Sequence, residues 1–478
     1  MSTDIDQTSA RDDAEGVAPM AAPTLEAVAA LSTAVRGDVV LPDDQGYDRA
    51  RRVYNAQHDR RPAIVVRAAD VADVRAAVDH ARTRSLPLAV RGGGHSLAGF
   101  STCDDGLVLD LGGLRGIRVD PDTGTARAEA GCTWADFNHA TYAFGLATTG
   151  GVVSSTGIAG LTLGGGLGFF ARRHGLSCDN LVSADVVLAD GTFLACDAEE
   201  REPDLFWALR GGGGNFGVVT SLEYRVHPIK DVLGGLTVYP LDSDVLRAYT
   251  ALVASSPPEM GVILAIALGP PAPFLPERWH GRPVIIVLIC WSGPREQDEK
   301  VLSWLRRVGP VLGQYVERMP YPVVNTFFDE DLPAGLHHYW KGVYAGAELT
   351  DGAIAAHLEY GATIPSMESG TLLFPIDGAC HRVAPDATAF AYRDATFATG
   401  FGPSWSNPAD SAANIAWCRA YDAALRPHSM DGGYVNFTAR EDQYRVRANY
   451  GVNFDRLVAA KRRYDPDNLF RLNHNISP

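Results

Sequence analysis

From Pro62 onward the apolar and polar positions fall into blocks of strand and helix length. The run AIVVRA (63–68) reads as a buried strand. Apolar residues then recur at Val71, Val74, Ala77, Val78 and Ala81, the spacing of one helix face, with Asp70 placed to cap the first turn. LPLAVR (86–91) predicts a second strand that runs straight into Gly92, Gly93, Gly94, His95 and Ser96. Short strands are expected within 106–120 and 125–131, a helix within 133–145 and a strand within 182–191.

After Pro228 the glycine density falls. Strand-like runs (284–291, 370–376) alternate with helical stretches, read as 298–315 and 411–427. This half predicts a second α+β unit. The tail from Tyr434 contains one clear helix and ends in a short run of Asn and His.

The glycine loops raise the chemical question. Three glycine-rich segments (92–94, within 148–181, and 211–214) lie between strand-like runs. Glycine permits φ > 0 and lets a backbone come close to a ligand. Turns of successive N–H groups bind anions, and Ser96, Ser154, Ser155, Thr156 and Thr162 add hydroxyls. An extended, phosphate-bearing ligand lying on bare backbone fits this pattern; tight hairpins alone are the plainer alternative. The loop at 92–94 follows the second strand, not the first, and lacks G-x-G-x-x-G spacing, so the dinucleotide fingerprint fails. No P-loop Lys and no Gly-x-Ser-x-Gly elbow is present.

Composition narrows the picture. The chain has 478 residues, 46% hydrophobic and 21% charged, enough for more than one domain. A net charge of −15 argues against a nucleic-acid partner. Seven scattered cysteines without a C-x-x-C pair argue against a disulfide scaffold or zinc site, so no metal is expected. The run 284–290 is too short to span a bilayer. The first 24 residues are acidic, without the basic start and apolar run of a secretory signal. They read as a disordered tail (1–24), and the expected compartment is the cytoplasm. Nothing in the sequence speaks to oligomeric state.

Four motifs in order carry a resemblance: RGGGHS (91–96), GLTLGGGLGFFARRHGLSCDNLVSADVVLADG (160–191), DLFWALRGGGGNFGVVTSLEYRV (204–226) and NYGVNFDRLVAAKRRYDPDNLFRLNHNI (449–476). From about Val53 to Ile476 the chain resembles the berberine-bridge-enzyme-like FAD-linked oxidases of the vanillyl-alcohol-oxidase / p-cresol-methylhydroxylase superfamily. The resemblance implies an α+β fold. A two-part FAD-binding domain of the p-cresol-methylhydroxylase type (55–228) would precede an α+β substrate domain with an antiparallel sheet (229–430). A berberine-bridge-like segment (431–478) would return to the flavin.

It also implies FAD joined covalently through His95 to the 8α-methyl carbon, and a cofactor site built from particular residues. These are Arg91, Gly92, Gly93, Gly94, His95, Ser96 and Leu97 in the first loop, and Val153, Ser155, Thr156, Gly160, Thr162, Gly165, Gly166, Gly168 and Asn180 in the second region. Val219, Asn473 and Asn475 complete it. Many relatives add a cysteinyl link in a segment resembling G-V-C-P-T-V-G. Here GVVSSTG (151–157) places Val153 at that position, so a single link is expected. Cys178 reads as a small buried residue.

The implied reaction moves hydride from an alcohol or amine carbon of a small organic molecule, a secondary metabolite or sugar, to FAD, with O₂ as final acceptor. The residues leave open a dehydrogenase with another acceptor, or a flavin-binding protein without turnover. GGYVNF (432–437) maps the family's tyrosine base onto Tyr434, with Asn436 near the flavin. A tyrosine acting near neutrality needs a lowered pKa, so a cation is expected beside it, with Arg393 and Lys341 as candidates. The carboxylate base of some relatives would fall near Thr399; Asp394 differs in strand phase. His337–Tyr344 (HHYWKGVY) is either pocket wall or ordinary strand. His474 stands where glutamine is common.

Overall fold

The computed structural model describes residues 24–440 and 443–478. The expected tail 1–24 lies outside them except for Thr24. That residue caps the helix Leu25–Ala34 through its side chain.

Two sheets build the first half. In the first, Ile64–Arg67 and Leu88–Arg91 flank Leu107–Asp110, both parallel to it, and Asp38–Val40 pairs antiparallel at the edge. The helix Val71–Thr83 makes the crossover between the first two of these strands. Asp70 caps it, its side chain accepting from the N–H groups of Ala72 and Asp73. Val74, Ala77, Val78 and Ala81 are all fully buried, as their spacing requires. The second sheet is antiparallel, in the order Ile117–Asp120, Thr125–Glu129, Val218–Arg225, Leu181–Val187, Phe193–Asp197.

The second half forms a seven-stranded antiparallel sheet. Its order is Gly313–Pro320, Asp231–Pro240, Pro283–Trp291, Met260–Leu268, Gly370–Pro375, Phe397–Gly402, Lys341–Ala345. The helices Ser243–Ser255, Asp351–Gly361 and Ser411–Leu425 bury apolar residues against one face. The other face packs toward Leu167, Phe169 and Phe170 of the glycine-rich segment. The fold is α+β.

Two readings need correction. The helix expected over 298–315 stops at Arg306, and Gly313–Pro320 is an edge strand. Pro310 cannot continue the hydrogen-bond ladder. Gly309 packs so closely on Val245 that a side chain there would collide. The tail holds a second helix, Gln443–Tyr450, before Phe454–Tyr464.

Candidate active site

The glycine loop at 92–94 is anchored from below. Arg91 ends its strand directly opposite Asp110, and its guanidinium donates to that carboxylate at 2.9 Å and to the Arg52 carbonyl at 3.2 Å. Gly94 sits at φ +72°, a conformation that favours glycine. Gly93 meets Gly157 backbone to backbone, so a Cβ on either would strike the other loop. Loop-to-loop contact thus explains the middle glycine.

That contact brings the second loop to His95. The ring's Nε2 lies 3.0 Å from Ser155 Oγ and its Nδ1 lies 3.5 Å from Thr156 Oγ1. Tyr54 stacks on it at 4.0 Å between centroids, and His338 stacks on the far side of Tyr54 at 4.8 Å. Desolvation holds the His95 pKa down to about 4, so the imidazole is neutral at pH 7.

These groups stand in the wall of a cavity of about 350 Å³, within the range of ligand sites. Gly92, Gly93, Gly94, His95, Ser96 and Leu97 line it from the first loop, and Val153, Thr156 and Gly160 from the second. Val219, Asn473 and Tyr434 complete the predicted set there. Gly160 and Gly214 face open space, with nothing within 4 Å of a Cβ position.

The remaining predicted residues do not line the cavity. Arg91 serves the anchor just described, and Ser155 reaches the site through His95. Thr162 is buried against the Tyr224 hydroxyl at 2.9 Å. Gly165, at φ +121°, packs under Phe390, and Gly168 lies against the Gly150 carbonyl. Gly166 acts one layer out, donating its N–H to the Tyr434 hydroxyl at 2.9 Å. Asn180 is committed elsewhere, donating to the carbonyls of His174 and Leu176 and contacting His227. Asn475 donates to Ser477 Oγ at 3.4 Å. Glycine density marked the region, but a backbone position does not reveal which loop face meets a ligand.

Tyr434 corrects a second expectation. It precedes the short helical turn Val435–Phe437 and is 1% exposed. Its hydroxyl accepts from Gly166 N–H and from Asn436 Nδ2 at 2.8 Å. Both donors favour a phenolate, yet burial outweighs them and raises the pKa above the ordinary tyrosine value. Arg393 is bound bidentate to Asp179 at 2.7 and 2.8 Å, and Lys341 Nζ lies over the Tyr339 ring. Cys178 is fully buried, in keeping with its expected role. Thr399 is buried within its strand, and neither it nor Asp394 lines the cavity.

Sequence reasoning missed Tyr54, Leu372, Phe374 and Phe437 as lining residues. His338 and Trp340, two apart in the HHYWKGVY stretch, line the wall. His474 lies there too. Its Nε2 sits 2.9 Å from the Val435 carbonyl and 3.2 Å from Thr438 Oγ1, and burial lowers its pKa to about 4. Among the described residues no group of three or more His, Cys, Asp or Glu could hold a metal.

A family model described as FAD binding domain matches residues 62–197, and one described as berberine and berberine-like matches 433–477. The chain is 32% identical over 453 residues to an uncharacterised FAD-linked oxidoreductase of Bacillus subtilis, covering 93% of this chain and 98% of the relative. The chain belongs to the FAD-linked oxidoreductases. It is an FAD-dependent enzyme, and the resemblance read from its motifs holds. It is 30% identical over 461 residues to (R)-6-hydroxynicotine oxidase of Paenarthrobacter nicotinovorans, covering 94% of this chain and 98% of that one. A crystal structure of 6-hydroxy-D-nicotine oxidase from Arthrobacter nicotinovorans superposes with a TM-score of 0.81 at 27% identity, covering 93% and 98%. Glucooligosaccharide oxidase from Acremonium strictum shares the fold at 23% identity and a TM-score of 0.82, covering 95% and 99%; its FAD is 6-S-cysteinyl, 8α-N1-histidyl.

The residues present fit the cofactor. Bare backbone from three glycine loops lines one wall. Ser101 Oγ and Asn473 Oδ1 are buried there without a protein partner. A ligand rich in phosphate, hydroxyl and ring nitrogen atoms is what such a wall can satisfy. No helix among the described residues is long and apolar enough to cross a membrane.

Proposed function

We propose that this chain is an FAD-dependent oxidase acting on an alcohol or amine carbon of a small organic molecule, with FAD held by one covalent bond through His95. The observation that carries the reading is His95 standing at the end of a glycine loop in the cavity wall, its Nε2 3.0 Å from Ser155 Oγ. FAD, when bound, supplies a two-electron hydride acceptor, and O₂ takes the pair onward to hydrogen peroxide.

The protein's part is orientation and proton handling. In the tautomer that donates Nε2–H to Ser155 Oγ, His95 Nδ1 carries the lone pair and would be the nitrogen that holds FAD. The Tyr54 ring fixes the plane of that imidazole. The phenolate form of Tyr434, stabilised by Gly166 N–H and Asn436 Nδ2, takes the proton from the substrate hydroxyl or amine and becomes the neutral phenol. Among the described residues the wall offers no carboxylate for this role. Residues 55–228 would bind FAD, 229–430 would cover the substrate, and 431–478 would return Tyr434 and His474 to the cavity.

Acid denaturation tests the central claim. The yellow chromophore stays with the wild-type chain and leaves His95→Ala. Release from both would refute the covalent link. Oxygen electrode traces then separate the electron acceptors: an oxidase makes peroxide, whereas a dehydrogenase reoxidises only with an artificial acceptor.

A further inference from the structure

Resting on that oxidoreductase reading, we infer that the substrate is an uncharged molecule with an apolar, ring-sized body and a hydrogen-bonding group matched to Trp340 and His338, and not a glycan or an ion.

The first observation is electrostatic. Among the described residues, the wall formed by His338, Trp340, Leu372, Phe374 and Phe437 carries no Asp, Glu, Lys or Arg. The three histidines lining the cavity are neutral at pH 7, because desolvation lowers His95 and His474 to about 4 and His338 to about 3. A carboxylate or ammonium held against this wall would shed its hydration with neither a charged side chain nor a glycine-loop run of N–H groups to replace it, which is unfavourable.

The second observation is the shape of the chemistry on the wall supplied by the seven-stranded sheet. Leu372 and Phe374, two apart on the strand Gly370–Pro375, line the cavity, while Leu373 between them packs in the helix-covered core. Phe437 completes the surface, its ring 5.6 Å from Phe374 and 5.9 Å from Trp340. A sugar carries a hydroxyl on most of its carbons, and this surface would leave them unpaired.

The third observation is that two polar atoms beside this surface, on the segment leading into the strand Lys341–Ala345, lack partners. Trp340 is 6% exposed and its indole N–H is buried without a protein acceptor. His338 is 1% exposed; its Nδ1 is held by Ser404 Oγ at 2.8 Å, and its Nε2 has no partner. Buried polar groups are almost always satisfied, so partnerless ones in a cavity wall mark where a ligand atom belongs. The indole is a donor only and calls for an acceptor.

The test uses the flavin-loaded protein and isothermal titration under anaerobic conditions. The probes are 4-methoxybenzyl alcohol, 4-methylbenzyl alcohol, 4-carboxybenzyl alcohol, a 4-trimethylammonio analogue and cellobiose. The neutral aryl alcohols are expected to bind about tenfold or more tightly than either charged probe or the disaccharide. Trp340→Phe should weaken the methoxy compound several-fold and leave the methyl compound within about twofold. Equal or tighter binding of a charged probe or cellobiose overturns the inference, as does no binding by any neutral probe. Should Trp340→Phe fail to fold, the ranking on wild type decides alone. The underlying reading fails differently: the purified chain carries no flavin, or neutral ligands bind and no alcohol or amine ever bleaches it.

Discussion

Tyr54 lies flat on His95, with ring centroids 4.0 Å apart and planes 17° from parallel. The same ring stacks on His338, and its hydroxyl donates to the Leu332 carbonyl at 3.0 Å. One side chain from before the first parallel strand thus joins the glycine loop at His95 to the two-stranded pairing of His337–His338 with Ser404–Trp405. Tyr54→Ala should destabilise the protein by about 3 kcal/mol or more, the scale of deleting a buried aromatic ring. It should also lower the fraction of flavin retained after acid precipitation. Tyr54→Phe loses only one hydrogen bond, about 1 kcal/mol, and should retain the flavin.

Tyr434→Phe removes the phenol oxygen on which Gly166 and Asn436 converge. If the phenol is the general base, kcat/KM falls by about 10²–10⁴ while flavin content is unchanged. Because burial raises its pKa, the wild-type rate should climb through pH 9 without reaching a plateau near neutrality. A plateau by pH 7 would assign the base elsewhere.

Val153 lines the cavity, and the motif resemblance maps it onto the cysteine of G-V-C-P-T-V-G. Val153→Cys should therefore allow a second attachment. In the double variant with His95→Ala, part of the flavin should again survive acid denaturation, measured as absorbance of the precipitated protein.

The C-terminal segment is held by a buried ion pair. Lys461 Nζ donates to Asp465 Oδ2 at 2.6 Å and to the carbonyls of Asn215 and Phe470, with both side chains wholly buried. Asp465 also accepts from the N–H groups of Leu469 and Phe470, just before Leu472 and His474 reach the cavity. Asp465→Ala should cost about 3–5 kcal/mol in urea unfolding, because it leaves a buried ammonium unpaired.

His474 gives a pH signature. Its folded pKa of about 4 lies below the unfolded value near 6.5, so between these limits the unfolded chain binds more protons. Stability is fully present above about pH 6.5 and falls as pH drops toward 4. His95 and His338 are shifted in the same direction and add to the slope. His474→Gln should flatten the dependence of Tm on pH between 6.5 and 5.

What the sequence by itself determined were the local features. The Asp70 cap, the helix over Val71–Thr83, the strand that delivers His95 and the strand-like runs after Pro228 all follow from short-range periodicity and capping, whereas the antiparallel pairing came only with the family resemblance. The motifs also carried the family. Tertiary structure decided which residues meet. Gly93 needs its missing side chain because Gly157 arrives from 64 residues away. Arg393 is spent on Asp179, 214 positions distant, and so is not the cation beside Tyr434. Thr162 and Asn180 look like ligand residues in a glycine-rich run yet turn into the protein. Tyr54 and Phe374 carry no local mark of a site, and the HHYWKGVY stretch left open whether Trp340 was wall or ordinary strand. Their role arises from packing two sheets and a returning tail around one cavity, a relation among distant segments that short-range spacing does not encode.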